Sequence, residues 1–196
     1  MKFEFEKEII LENERALIRP LDFNDFHSLL PVALDDKTLL QYSPTPNHTP
    51  ELLKEYIQKA IEERKIEFRY AFSIFDKVKN KYAGSTSFAN VSNYDKRLEI
   101  GWTWIGREFQ QTGLNRNCKF LMLQYAFDLL NFERVEFRID ERNTPSRNAV
   151  EKIGGKLEGV LRSHILMSNG FRRSTCYYSI LNNEWKMLID NFLQKE

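Results

Sequence analysis

The run Gln110-Gln111-Thr112-Gly113-Leu114-Asn115 puts a glycine at the entrance to a long apolar helical stretch. In a strand-to-helix turn of this kind, successive backbone N–H groups form a nest for an anion. The helix N-terminus adds positive potential, and glycine lets a ligand approach the backbone closely. Phosphate groups suit that chemistry, with Arg107, Arg116 and Lys119 near enough in the chain to assist. The Asn115 carboxamide could cap the helix or donate to a phosphate. A second kind of chemistry resides in Glu99, which alternation places on the strand face opposite Leu98, Ile100 and Trp102, where a carboxylate can serve as a general base. Glu136, on the polar face of Val135 to Asp140, is a weaker alternative. Gly101 weakens a strand unless a bulge or a close backbone approach makes use of it. Thr144 reads as a helix cap with Pro145 in the first helical position, which leaves the Asn143 carboxamide spare and Ser146 one turn in. Tyr177 and Tyr178 alternate, so one faces a ligand and the other the core, and the sequence does not say which. His27, His48 and His164 read as surface or packing residues. Cys118 and Cys176 lie far apart in apolar segments without metal-ligand spacing, so both are expected reduced and packed, with no metal site.

The elements that must hold these residues follow from periodicity. Ala16 to Arg19 suits a strand ended by Pro20, and Phe26, Leu29, Leu30, Ala33 and Leu34 recur at helical spacing behind Asn24 or Asp25 as cap. The segment Ser43 to Pro50 is a loop. Thr49 then caps a helix with Pro50 in its first position and an apolar stripe of Leu52, Leu53, Tyr56, Ile57, Ala60 and Ile61. Arg69 to Asp76, Lys81 to Val91 and Arg97 to Ile105 have period two and predict an antiparallel meander. Asn115 to Leu130 is apolar on much of its circumference and is expected to be the central, most buried helix. Val135 to Asp140 predicts a strand, Thr144 onward a short helix closed by Gly154-Gly155, Lys156 to Leu166 and Ser174 to Leu181 two strands joined at Ser168-Asn169-Gly170, and Glu184 to Leu193 a last helix.

The chain has 196 residues with 42% hydrophobic content, enough to fill one core, and the expectation is a single domain over residues 1–196. Its 29 Lys and Arg nearly cancel its 28 Asp and Glu, so no nucleic acid or anionic membrane is expected as a partner, despite Arg142, Arg147, Arg162, Arg172 and Arg173. The N-terminus alternates charge with Phe and no apolar run reaches membrane-spanning length, which predicts a cytoplasmic protein. A homodimer is left open.

Leu17-Ile18-Arg19-Pro20-Leu21, Leu98-Glu99-Ile100-Gly101-Trp102, Gln110 to Asn115, and Glu141 to Ala149 leading into Glu151-Lys152-Ile153-Gly154-Gly155 together resemble the GNAT superfamily, and within it the RimJ/RimL-like branch. The resemblance spans roughly Leu17 to Leu181. It implies an α/β (mixed α+β) fold whose mostly antiparallel sheet of about seven strands is flanked by helices, with a splayed central pair. It also implies an N-acetyltransferase that moves acetyl from acetyl-CoA to a primary amine by direct attack in a ternary complex. The amine would be a ribosomal-protein N-terminus or a small molecule. On this resemblance Gln110, Gln111, Thr112, Gly113, Leu114, Asn115 and Arg116 hold the pyrophosphate, although Asn115 departs from the family's small residue. A bulge around Trp102, Thr103 and Trp104 aims N–H groups at the acyl oxygen. Asn143 binds the pantetheine amides and Ser146 the CoA sulfur as acid or thiolate stabiliser, Glu99 is the base, and His164 keeps a place on the substrate side. The alternative is a CoA-binding or protein-interaction member without catalysis, since fold does not fix activity.

Overall fold

The computed structural model describes residues 1–193. Its strands are β1 (Leu11–Glu12), β2 (Ala16–Pro20), β3 (Arg69–Asp76), β4 (Lys81–Ser92), β5 (Arg97–Ile105), β6 (Arg134–Asp140), β7 (Lys156–Leu166) and β8 (Arg172–Leu181). Its helices are α1 (Phe26–Asp35), α2 (Pro50–Lys65), α3 (Leu114–Gln124), α4 (Thr144–Lys152) and α5 (Asn182–Leu193). All eight strands form one sheet in the order β1-β2-β3-β4-β5-β6-β8-β7, so the short β1 adds an eighth strand to the expected seven. Every neighbouring pair is antiparallel except β5 and β6.

Alternation sends the two sheet faces into different packings. Tyr70, Phe72, Phe88, Leu98, Ile100, Val135, Phe137 and Tyr178 join Leu114, Cys118, Leu121 and Met122 of α3 and Trp185 of α5 in the main core. A smaller core on the other face sets Leu53, Tyr56, Ile57 and Ala60 of α2 and Leu29 and Ala33 of α1 against Ala71 and Trp104. The helix after Gly113 is the buried central one, and its last turn, Tyr125–Leu129, widens into a π-turn. Thr49 caps α2 as its sequence signature requires, with Oγ1 accepting from Leu52 N–H at 3.2 Å.

Two caps differ from expectation. Asp25 occupies the N-cap position of α1 but makes no side-chain cap bond, and Asp22 instead caps the segment before it. The Asp22 carboxylate accepts from Asn24 N–H at 2.8 Å, and a one-turn 3-10 helix precedes α1. At α4 the cap is Asn143 rather than Thr144, with Oδ1 accepting from Ser146 N–H at 3.2 Å. Proline fits the first or second helical position equally well in its missing N–H, so Pro145 alone does not fix where the helix begins. Cys118 and Cys176 are free and buried, as expected, and burial pushes the Cys118 thiol up to about 12.

Candidate active site

The strands β5 and β6 run parallel for three rungs, Arg97 with Arg134, Leu98 with Val135 and Glu99 with Glu136, and then part. Both continue well past that last rung, β5 to Ile105 and β6 to Asp140. A V-shaped opening of unpaired backbone follows, and unpaired N–H and C=O groups in it require partners from a ligand or water.

On β5 the opening carries a bulge. Ser85 pairs with Trp104 and Ser87 with Gly101, so Thr86 alone faces the two residues Trp102 and Thr103. Trp102 takes φ of 50°, a left-handed conformation that a tryptophan adopts only where its surroundings hold it. The extra residue shifts the alternation. Trp102 therefore lies on the same face as Glu99, correcting the sequence reading, and its ring packs on Phe68 and under the Arg69 guanidinium, which also stacks on Tyr56 of α2. The Thr103 side chain turns to the α3 face, and Trp104 is buried against Tyr56.

Glu99 sits on the last paired rung, 4% exposed. Its Oε2 accepts from Asn90 Nδ2 at 2.7 Å and lies 3.0 Å from Arg138 Nε. The other oxygen, Oε1, leans over Gly101, where a Cβ would stand 2.9 Å from it, so the glycine makes room for the carboxylate. Oε1 has no protein partner among the described residues and reaches along β5 toward the bulge. Burial raises the Glu99 pKa, and Arg138 and Asn90 oppose that rise. A carboxylate with one oxygen anchored and the other free, its proton affinity raised, is suited to accept a proton. Glu136, its rung partner, is engaged by Arg134 at 2.9 Å and by Arg138 at 3.4 Å.

Tyr177 is the member of its pair on this face, with Arg138 5.0 Å above its ring and the His164 ring 5.9 Å away. Tyr178 points to the helix side, where its hydroxyl donates to Glu151 at 2.7 Å and accepts from Arg147 at 3.0 Å. Two loops meet farther out. Arg142, paired with Asp140 at 2.7 Å, lies over the rings of Tyr42 at 5.5 Å and Phe171 at 3.8 Å, and Arg173 donates to the Tyr42 carbonyl at 3.1 Å.

The Gln110–Asn115 turn lies at the N-terminus of α3. Gln110 Nε2 donates to the Ile105 carbonyl at 2.9 Å, and Thr112 Oγ1 donates to the Phe109 carbonyl at 2.7 Å while accepting from Arg15 at 3.1 Å. Gln111 (φ 59°) and Gly113 (φ 85°) are both left-handed. Gly113 occupies the N-cap position, and no side chain caps the helix. Among the described residues the backbone N–H groups of Gln111 to Asn115 have no protein acceptor. Asn115 therefore does not cap α3, and its Oδ1 is buried without a partner. Leu114 is packed in the core and offers only its backbone. Free N–H groups and a helix N-terminus fit a diphosphate.

Each flanking cation has a protein partner. Arg107 is paired with Asp36 at 2.7 Å, Arg116 donates to the Phe192 carbonyl at 3.1 Å, and Lys119 is buried against Thr103 and Thr86. Asn143 follows the parted end of β6. With Oδ1 used as the cap, its Nδ2 is the group left for a ligand, and Ser146 lies in the first turn of α4. Sequence reasoning missed Asn90 and Arg138 as the partners of Glu99. Arg138 was readable from the polar alternation of β6, whereas Asn90 reaches Glu99 only through its own left-handed φ of 48° at an irregularity in β4.

The Acetyltransferase (GNAT) domain family matches residues 15–156. A Bacillus subtilis protein named "Putative ribosomal N-acetyltransferase YdaF" is 33% identical over 103 residues. That alignment covers 53% of this chain and 55% of the relative, so the chain spans about half of it. The B. subtilis "Uncharacterized N-acetyltransferase YnaD" is 25% identical, covering 89% of this chain and 98% of its own. The crystal structure of a GCN5-related N-acetyltransferase from Brucella melitensis superposes with a TM-score of 0.88 at 26% identity, over 95% of this chain and 85% of that one. The ribosomal-protein-S5-alanine acetyltransferase from Vibrio fischeri shares the fold, with a TM-score of 0.72 at 21% identity over 90% and 98% of the two chains.

Proposed function

This chain belongs to the GNAT acetyltransferase family, and from that premise we propose that it transfers acetyl from acetyl-CoA to a primary amine by direct attack within a ternary complex. One observation carries the reading: β5 and β6 part immediately beyond the Glu99 and Glu136 rung, with a bulge on β5 inside the opening. Acetyl-CoA supplies an acyl group activated as a thioester. The uncapped N–H groups from Gln111 to Asn115 would hold its pyrophosphate, with Arg116 on the same turn, and the Asn143 amide would bind the pantetheine arm. Bulge N–H groups from Trp102 to Trp104 would stabilise the oxygen that gains negative charge, a contribution of about 2.7–4 kcal/mol per donor in other acyl transfers. Glu99 would take the proton that an ammonium must lose before its nitrogen attacks, and Ser146 would donate to the departing sulfur.

The acceptor would enter over the face that carries Trp102, Tyr177 and His164, beneath the meeting of the Tyr42 and Phe171 loops. The names of YdaF and the Vibrio fischeri enzyme favour a ribosomal-protein N-terminus, and a small-molecule amine is the other class. We further propose one domain over residues 1–196 acting in the cytoplasm; no helix among the described residues is long and apolar enough to cross a membrane. Calorimetry with acetyl-CoA, followed by thiol release over a panel of amines and N-terminal peptides, tests the proposal. Absence of acetyl-CoA binding overturns it. Binding without thiol release for any amine selects the non-catalytic alternative.

A further inference from the structure

Lys119 is 6% exposed, and its ammonium meets hydroxyls rather than a carboxylate. Nζ donates to Thr103 Oγ1 at 2.7 Å and to Thr86 Oγ1 at 3.4 Å, and the two hydroxyls lie 2.8 Å apart. Among the described residues no Asp or Glu lies within ion-pair distance of it. The elements packed against it present Thr86 from β4, Thr103 from β5 and the Met122 thioether beside Thr86, and the one titratable group bearing on its charge is the neutral Cys118 thiol next to it on α3. Burying an ammonium without a counter-charge is unfavourable, and a leucine or methionine would pack here at no such penalty.

The two hydroxyls are those of the bulge. Thr103 is one of the two bulged residues on β5, and Thr86 is the single β4 residue opposite them. Thr103 Oγ1 also makes a longer contact, 3.4 Å, to the Gly101 carbonyl. In a trans peptide the carbonyl and the following N–H point in opposite directions, so holding the Gly101 carbonyl aims the Trp102 N–H. We propose that Lys119 is a positioning residue for acyl transfer: its buried ammonium clamps the β5 bulge through Thr103 and Thr86 and lends positive charge to the site where the acyl oxygen becomes negative. This rests on the reading of the bulge as the acyl-oxygen site. Burial lowers the Lys119 pKa to about 8, so the charge is present below that pH and is lost above it.

The test uses the full chain with Lys119→Met, which keeps an unbranched stem one heavy atom shorter and removes the charge. Turnover should fall about ten-fold or more, while the Michaelis constant for acetyl-CoA stays within roughly three-fold. The wild-type turnover profile should show a decline above a pH of about 8 that the variant lacks. In the free protein, amides 101–104 should exchange hydrogen faster in the variant. Wild-type turnover in a folded Lys119→Met, a loss confined to the Michaelis constant, or an unaltered alkaline decline overturns the proposal. If Lys119→Met does not fold, Thr103→Val decides, since it deletes the clamped hydroxyl and keeps the side-chain shape. Its turnover should fall likewise, and unchanged turnover with unchanged amide exchange refutes the clamp. A wild-type protein that does not bind acetyl-CoA at all refutes the underlying site reading, and the clamp with it.

Discussion

Replacing Lys119 by methionine should stabilise this protein at neutral pH, and the size of the effect follows from its surroundings. The ammonium titrates at about 8 in the fold against 10.5 for a free lysine side chain, with burial as the main cause. At about 1.4 kcal/mol per pH unit, that difference corresponds to roughly 3 kcal/mol of burial penalty. The sign is fixed by proton binding: between pH 8 and 10.5 the unfolded chain holds more protons at this site than the fold, so stability rises with pH there. Below pH 8 both states are charged and the fold bears the whole penalty. Methionine removes it but loses the charge-assisted hydrogen bonds to Thr103 and Thr86, worth about 1.5–3 kcal/mol, leaving a net gain of at most about 1.5 kcal/mol at pH 7. Urea unfolding of both proteins at pH 7, 9 and 10.5 measures this directly. The advantage of the variant should shrink across the series and vanish or reverse at the top. A variant less stable at pH 7, by an amount that does not change with pH, would refute the reasoning.

Glu99→Gln should lower turnover much more than acetyl-CoA affinity, with a loss that diminishes as pH rises and free amine becomes available; an undiminished rate at neutral pH would assign the deprotonation elsewhere. Because the Glu99 pKa is raised, the wild-type rate should also fall on the acid side at a higher pH than an ordinary carboxylate would give, and the Gln variant should lack that limb in a pH–rate profile. Gly113→Glu should abolish CoA binding in calorimetry through its charge, and should also lose about 1–2 kcal/mol of stability because its φ of 85° is strained for any side chain. Asn143→Ala should weaken CoA binding and lower thermal stability together, since the residue also caps α4, whereas Ser146→Ala should leave CoA affinity near wild type while slowing turnover.

The sequence made most of the strand and helix content legible because its periods change cleanly, from three to four in α2 to two across β3, β4 and β5. Gly101 announced an irregularity in β5, and the structure has the bulge at Trp102 and Thr103, within the expected Trp102 to Trp104 stretch. What could not be read was the consequence of that irregularity. One inserted residue reverses the alternation after it, so the face of Trp102 was misjudged while that of Glu99 was not. Tyr177 and Tyr178 posed the related problem of phase, which only the pairing of β8 with β6 resolves. Lys119 left a trace: with Arg116 it is one of two cations in a helix that is apolar on much of its circumference. Its direction depends on where β4 and β5 bring Thr86 and Thr103, residues 33 and 16 positions away in the chain.

The three rungs between β5 and β6 have a mechanical consequence. Every other long strand in the sheet is laced to its neighbours over five or more residue pairs, so this short parallel seam is the weakest line of backbone bonding between β1–β5 and β6–β8. A ligand that lies along the opening and bonds to both banks acts as a suture. Its binding energy is added to the cohesion of the whole sheet, by about 2.7 kcal/mol at a hundred-fold excess over Kd. On the proposed function that ligand is acetyl-CoA, so the resilience of the fold would follow the supply of the cosubstrate.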